Sequence, residues 1–205
     1  MKNLPPLLHY IWIGNNPIPD YYQLNYQNTQ KLNPTLTTIL WTDNILQILI
    51  PDYYSYSLPH KLQLAKYTIL NIYGGTYTDF DITWHTPIHT IIHNTPPNTT
   101  LTTITRNSLH FYNKHKKTQL LDDYFLQALP EQTNNFLNYC LYIRNEHKQH
   151  PFEPYSVYAL SEWITETQRP FTHTISIKDL GPNPNSIYAY HLNQSHWQQN
   201  PNTPL

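Results

Sequence analysis

The sequence predicts an α/β domain, and three observations carry that expectation. The run Leu7 to Ile13 alternates loosely around His9 and ends in Gly14-Asn15-Asn16-Pro17, as a buried strand does where it enters a loop. Asp20 stands where a helix cap belongs, a helix runs from it to about Leu32, and Asn33-Pro34 breaks it before the β-branched run Thr37 to Trp41 supplies a second strand. Two strands around one helix form a βαβ unit. Such a unit favours parallel pairing with a right-handed crossover and gathers loops at the strands' carboxyl ends, where ligands bind in open α/β sheets.

The third observation lies further along. From Pro59 to Tyr73 the residues Leu62, Ala65, Ile69 and Ile72 recur at helical spacing, and Gly74-Gly75 supplies a left-handed stop. Thr76 to Phe80 reads as the next strand and Leu101 to Thr105 as another, after the turn-prone stretch Asn94 to Asn98. Helical spacing returns at Leu120 to Leu129, at Phe136 to Ile143 and around Tyr155 to Thr165, while Thr174 to Ile177 and Ile187 to His191 are short strands. No internal repeat is present. A chain of 205 residues can bury one continuous core, so residues 1–205 are read as a single domain.

Composition narrows the function classes. Twelve Lys and Arg stand against 13 Asp and Glu, which removes the attraction that a nucleic-acid backbone or an anionic membrane surface exploits. Neither is expected as a partner. Cys140 is the only cysteine, so no intramolecular disulfide forms and a reducing cytoplasm is the expected location, a host's cytoplasm if the source is viral. The N-terminus has only Lys2 ahead of two prolines, and its apolar stretch is interrupted by His9 and stops at Gly14, unlike a signal peptide. Clusters such as Ile45 to Ile50 fall far short of the ~20 apolar residues of a spanning helix.

Ala, Gly, Val, Asp and Glu together supply only 22 residues, and all five use guanine-first codons. A guanine-poor coding strand, as in some large DNA viruses or low-GC genomes, accounts for the excess of Thr, Asn, Pro, Tyr and His. The 12 His and 18 Tyr are therefore no evidence of chemistry by number. Position has to carry the argument.

Position points to Thr76-Tyr77-Thr78-Asp79-Phe80-Asp81. On a strand, side chains alternate, so Asp79 and Asp81 would face one side and Phe80 the other. Two neighbouring carboxylates repel unless a cation lies beside them, and a hard divalent ion such as Mn²⁺ or Mg²⁺ suits oxygen ligands. Such an ion keeps positions open for diphosphate oxygens, so it can bind a nucleotide-sugar and stabilise its leaving group. The alternative is two solvated aspartates at a strand end.

The run Ala65-Lys66-Tyr67-Thr68-Ile69-Leu70-Asn71-Ile72-Tyr73-Gly74-Gly75-Thr76-Tyr77-Thr78-Asp79-Phe80-Asp81 resembles the DXD sugar-binding region of glycosyltransferase family 32 in order and spacing. That family includes α-1,6-mannosyltransferases and capsular polysaccharide enzymes. Upstream, Leu8-His9-Tyr10-Ile11-Trp12-Ile13-Gly14 is similar to its opening strand, and Leu40-Trp41-Thr42-Asp43 to the end of its second. Downstream, Tyr190-His191 followed by His196-Trp197 is similar to its closing histidine and tryptophan.

The resemblance implies a GT-A fold, in which a Rossmann-like mixed sheet is flanked by helices, and a metal-dependent glycosyltransferase. It implies a retaining transfer from a UDP- or GDP-sugar to a glycan or other hydroxyl acceptor. Asp79 and Asp81 would be the catalytic metal-binding pair, with His191 as third ligand; an imidazole there tilts selection toward Mn²⁺. Donor contacts would fall to Ile11, Trp12, Gly14, Gln63, Lys66, Tyr67, Gly75, His196 and Trp197. For the acceptor, Asp122, Asp123 and Glu162 are candidates.

Each of these has a plainer reading. Trp12 can stack on a base or sit in the core. Asp122-Asp123 can cap the helix that follows, and Glu162 can be a solvated carboxylate. Family members carry Ser-Asp-x-x-Arg-Tyr where this chain has Leu62-Gln63-Leu64-Ala65-Lys66-Tyr67, so Gln63 replaces an Asp and Lys66 an Arg. Gln63 and Lys66 can equally lie on a solvated helix face. Two rival functions stand beside the transferase. Asp79-Phe80-Asp81-Ile82-Thr83 also fits the Asp-x-Asp-x-Thr pattern of haloacid-dehalogenase-like phosphatases, with Asp79 as nucleophile and Asp81 as general acid. The other rival is a catalytically degenerate sugar-binding protein, motivated by Gln63 and Lys66.

Overall fold

The computed structural model of the chain describes residues 4–96, 99, 101–107, 119–134, 136–138, 172–176, 180–181, 185 and 189–191. Strand β1 (Leu7–Trp12) leads through helix α1 (Asp20–Leu32) to strand β2 (Thr37–Thr42). The two strands pair in parallel, from Leu7 with Thr37 to Trp12 with Thr42, so the expected βαβ unit is present. Alternation along β1 sorts its side chains between two cores: Leu8 and Tyr10 pack with Tyr22 of α1, whereas Ile11 packs with Trp41 on the opposite face.

Helix α2 (Asp43–Leu49) starts directly after β2 and is followed by a 3₁₀ turn at Tyr53–Ser55 and by helix α3 (Leu58–Tyr73). Strand β3 (Gly75–Thr78), strand β4 (Ile82–Trp84), helix α4 (His89–Asn94), strand β5 (Leu101–Asn107) and strand β6 (Gln119–Ala128) come next. Strands β7 (Thr172–Ser176), β8 (Leu180–Gly181) and β9 (Ala189–His191) complete the described elements. They form a six-stranded sheet in the order β2-β1-β3-β6-β5-β7 and a three-stranded sheet in the order β4-β9-β8. The large sheet is mixed, because β6 runs antiparallel to both of its neighbours.

Helix α3 lies where the sequence places it. Ala65 and Ile69 are buried as expected, Leu62 packs partly against the same core, and Ile72 near the helix end is exposed. Gly74 (φ +63°) and Gly75 (φ +96°) occupy backbone conformations that favour glycine. Space forbids a side chain there too. A Cβ on Gly74 would meet Pro130 Cδ at 2.6 Å, and one on Gly75 would meet the Leu7 carbonyl oxygen at 2.8 Å. The glycine pair thus lets the end of α3 turn sharply into β3 while β3 lies close against β1.

His9 secures that corner. It is fully buried; its Nδ1 accepts from the Trp41 indole N–H (3.1 Å), which leaves Nε2 to donate to the Gly74 carbonyl (2.7 Å). One neutral tautomer satisfies both partners. The ring therefore ties β1, β2 and the end of α3 together.

Two expected elements are corrected. Leu120 to Leu129 is a strand, β6, rather than a helix, because Leu121, Tyr124, Phe125, Leu126 and Ala128 are buried on both faces of the sheet. A strand covered on both sides reads as a continuous apolar run, which helical spacing fits by accident. Asp122 and Asp123 accordingly lie within a strand and cap no helix. The strand expected at Thr76 to Phe80 ends at Thr78. Elsewhere the expected strands at Leu101, Thr174 and Ile187 are present as β5, β7 and β9 with shifted ends. Residues 136–138 are helical; 139–143 and the helix expected at Tyr155 to Thr165 lie outside the described residues.

Strand β6 carries an irregularity that matters for the site. Its pairing with β5 jumps from Gln127↔Thr102 to Asp122↔Ile104, which inserts extra residues on β6. Tyr124 and Phe125 consequently both join the core on the α1 side, while Leu121, Leu126 and Ala128 join the core beneath α3. Bulges re-aim side chains in this way.

Burial lowers the His9 pKa to about 4, against 6.5 for a free imidazole, with the Gly74 hydrogen bond opposing the shift. Between those values the unfolded chain binds more protons at this site, so the stability His9 contributes is present above pH 6.5 and is lost as pH falls toward 4. Urea unfolding is expected to show a loss of about 2 kcal/mol between pH 7 and pH 5 from this group. His9→Gln keeps one donor and one acceptor without titrating, and the pH slope of the parent should exceed that of the variant by this amount.

Candidate active site

The two aspartates lie in the crossover between the sheets. Asp79 N–H donates to the Tyr124 carbonyl of β6 (2.9 Å), and Ile82 N–H then closes a turn onto the Asp79 carbonyl (3.4 Å). Asp79-Phe80-Asp81 is therefore a tight turn joining β3 to β4, and strand alternation does not set its side-chain directions. The chain bends because β4 leaves the large sheet to pair with β9. Phe80 nevertheless points inward as expected: it is buried among Tyr10, Trp12, Tyr22 and Tyr26, with ring centroids 4.8 to 6.2 Å away.

Helix α1 clamps the turn from outside. The Asn25 amide donates to the Phe80 carbonyl (3.1 Å) and its oxygen accepts from the Thr83 hydroxyl (3.1 Å), which also bonds Tyr21 (3.0 Å). Tyr22, one turn before, has its phenol pKa raised by burial and then by the charges of Asp81 and Asp79. Neither Asn25 nor Tyr22 is among the site candidates that the sequence offers. The available signal is the polar spacing of Tyr22, Asn25 and Thr29 on α1 and Asn33 just after it, all of them buried.

The Asp79 side chain is 27% exposed and the whole of Asp81 only 7%. One oxygen of Asp79, Oδ1, takes two contacts: the Tyr77 hydroxyl donates to it, and the Lys66 ammonium lies 3.5 Å away. The same ammonium lies 3.5 Å from Asp123 Oδ1 and donates to the Asp123 carbonyl (3.3 Å). Burial opposes the charge on Lys66, but Asp123 and Asp79 outweigh it and hold its pKa above the usual lysine value. Asp79 is pushed up by burial, held down by Lys66, and pushed up again by Asp81. Two carboxylates that repel each other, with hard oxygen donors, fit a divalent cation. Among the described residues no group of three His, Cys, Asp or Glu side chains completes a metal cage.

Register brings one distant candidate close. His191 of β9 pairs with Ile82, the residue after Asp81. Gly14 and Trp12 lie at the carboxyl end of β1, where Gly14 N–H donates to Asp43 Oδ2 (2.6 Å) and the Trp12 indole to the Asn16 carbonyl (2.7 Å). Asp43 also accepts from the Tyr53 hydroxyl (2.7 Å), so it fastens this loop to the 3₁₀ turn. Gln63 is one helical turn before Lys66, and its side-chain oxygen is buried with no hydrogen-bond partner among the described residues.

Several of the expected donor residues also have a packing role. Ile11 belongs to the core, and Tyr67 is fully buried with its ring 4.5 Å edge-on from Phe136. Gly75 is required by the approach of β1, as described above. Lys66 is buried, not on a solvated face. Asp123 is at the site through Lys66, and Asp122 is buried beside it with its carbonyl taken by the Thr103 hydroxyl. Glu162, His196 and Trp197 lie outside the described residues.

Because the Asn25 side chain bonds both the Phe80 carbonyl and the Thr83 hydroxyl, Asn25→Ala leaves the buried Phe80 carbonyl without its donor. The expected cost is about 1–3 kcal/mol in urea unfolding, with faster hydrogen exchange at the Ile82 amide.

Residues 19–99 match the family model described as a glycosyltransferase sugar-binding region containing a DXD motif. Inositol phosphoceramide mannosyltransferase 1 of Schizosaccharomyces pombe is 28% identical over 104 residues, covering 45% of this chain and 32% of that protein. The chain thus spans about a third of the length of this curated relative. Among solved structures, a glycosyltransferase involved in the glycosylation of the major capsid of PBCV-1 superposes with a TM-score of 0.57 at 11% identity, covering 95% of this chain and 97% of that one. The PaToxG glycosyltransferase gives a TM-score of 0.57 at 14% identity, covering 82% and 70%. Residues 19–99 are thus similar to the DXD-containing sugar-binding region of glycosyltransferases, and the mixed sheet with the Asp-x-Asp turn at its carboxyl edge is a GT-A fold.

Proposed function

We propose that the chain is a metal-dependent, retaining glycosyltransferase that moves a sugar from a nucleotide-sugar, with UDP or GDP as the leaving group, to a hydroxyl on a glycan or a related acceptor. The observation that carries this reading is the Asp79-Phe80-Asp81 turn, anchored by Phe80 and clamped by Asn25, with Asp79 and Asp81 beside each other at the sheet's carboxyl edge. Asp79 and Asp81 would hold Mn²⁺ or Mg²⁺. When bound, the ion supplies positive charge to the diphosphate leaving group.

The chain's own residues supply the remaining functions. Trp12 and the loop around Gly14 offer an aromatic edge and backbone groups for the base at the end of β1. Gln63 offers a buried oxygen that a sugar hydroxyl can satisfy. Retention is expected by attack from the leaving-group face, with a departing phosphate oxygen taking the acceptor proton as the bond to the diphosphate breaks. The phosphatase reading loses ground because Asp79 lies at the end of the third strand of a GT-A sheet and its Oδ1 is already engaged by Tyr77 and Lys66.

A screen of nucleotide-sugars for hydrolysis or transfer with Mn²⁺ tests the proposal. Asp81→Ala is expected to abolish Mn²⁺-dependent donor binding, read by calorimetry, while the far-ultraviolet circular dichroism stays that of the parent. Unchanged donor affinity would remove Asp81 from the site.

His191 is the proposed third ligand, supported by its register position opposite Ile82. His191→Ala should weaken Mn²⁺ at least as much as the ~10–100-fold typical of changes around metal ligands. Titration of Mn²⁺ into parent and variant decides it: equal affinities would assign His191 to packing.

A further inference from the structure

Lys66 and Asp123, candidates for donor and acceptor contacts, lie against each other and against Asp79. Lysine ammonium carries three N–H bonds, and three acceptors surround this one: Asp79 Oδ1 at 3.5 Å, Asp123 Oδ1 at 3.5 Å and the Asp123 carbonyl at 3.3 Å. The ammonium also lies 4.9 Å over the Tyr77 ring, and its side chain is 3% exposed. Every direction in which Lys66 can donate is occupied by the protein.

The bulge in β6 creates this arrangement. With Tyr124 and Phe125 both turned to the α1 side, Asp123 falls on the α3 side with Leu121 and Leu126, facing the helix that carries Lys66. A bulge interrupts the ladder and frees carbonyls. Here the Asp122 carbonyl is taken by the Thr103 hydroxyl and the Asp123 carbonyl by Lys66.

We infer that Lys66 and Asp123 form a positioning pair for Asp79, in which Asp123 balances the Lys66 charge so that Lys66 steadies Asp79 without cancelling it. The inference rests on the metal reading given above. Three carboxylates and one ammonium leave two negative charges, which matches one divalent cation. Without Asp123, the ammonium leans wholly on Asp79 and competes with the ion for it. The remaining oxygen of Asp123, Oδ2, is buried with no hydrogen-bond partner among the described residues, so direct contact of Asp123 with a ligand is the outcome to be distinguished.

The test is Mn²⁺ titration, by calorimetry or by the electron paramagnetic resonance of the free ion, on the full chain. Three proteins are compared: the parent, Asp123→Asn, and the double variant Lys66→Met with Asp123→Asn. If Asp123 acts through Lys66, Asp123→Asn weakens Mn²⁺ by ~10–100-fold, the range for residues that hold metal ligands in place. The double variant, with neither charge, then returns to within about threefold of the parent, because coupled residues are not additive. A double variant as weak as Asp123→Asn overturns the inference and makes Asp123 a group that touches the ligand. An Asp123→Asn variant equal to the parent overturns it as well. Should Asp123→Asn fail to fold, the double variant alone decides: a tenfold or greater loss against the parent overturns the pair, and an affinity within threefold supports it. A parent that binds no divalent cation overturns the metal reading itself, which sets that failure apart from the others.

Discussion

A buried lysine between two aspartates is the constraint on which the rest of the site depends. Lys66 has no water to solvate its charge, so α3, β3 and β6 must each deliver a partner at the right height: the ammonium from the helix, Asp79 from the end of β3, and Asp123 with its carbonyl from the bulge. Breaking such a pair is costly because the surviving charge is left buried and alone. The three elements are consequently fixed relative to one another by one cation. Lysine suits the position for a geometric reason. Its donors spread as a tripod toward convergent acceptors, whereas the guanidinium of an arginine is a planar fork matched to a single carboxylate.

The corner where α3 turns into β3 serves the same end by different physics. Gly74 and Gly75 allow the backbone to turn where any Cβ would strike Pro130 or Leu7, and His9 closes the gap with two hydrogen bonds that only its neutral form can make. Asp79 directly follows β3, a strand whose register with β1 is fixed at Leu8↔Thr76 and His9↔Tyr77. A shift of one residue there would send Tyr77 to the other face and take its hydroxyl from Asp79. The glycine signature is thus part of how the carboxylates are aimed.

How much of this was legible varies with how local its cause is. Helix α3, its glycine stop and the first βαβ unit follow from spacing and turn chemistry within a few residues, and they stand as read. Strand β6 did not, because burial on both faces erases the period-two signal that marks a half-buried strand. Asp79-Phe80-Asp81 was read as strand because its alternation is that of a strand. What ends β3 is the departure of β4 toward β9, a partner far along the chain that local sequence does not reveal. The same holds for Lys66: helical spacing leaves a donor contact and a solvated face equally open, and the Asp123 acceptors come from a bulge in a strand whose spacing resembles a helix. Asn25 was missed because an asparagine in mid-helix signals nothing until the Phe80 carbonyl lies against it.

The departures from the family pattern gain a common explanation in this geometry. Where relatives are expected to carry an Asp and an Arg one turn apart, this helix carries Gln63 and Lys66, and the net charge of the two positions changes only from zero to plus one. That extra positive charge is offset within the protein, since Asp123 lies 3.5 Å from the ammonium. The balance at the turn therefore does not require the helix to supply a second carboxylate. Gln63, whose buried side-chain oxygen has no hydrogen-bond partner among the described residues, adds a neutral acceptor on the helix and no charge. The carboxylate that balances Lys66 thus comes from β6 and not from α3, which leaves the helix face at Gln63 for a neutral contact.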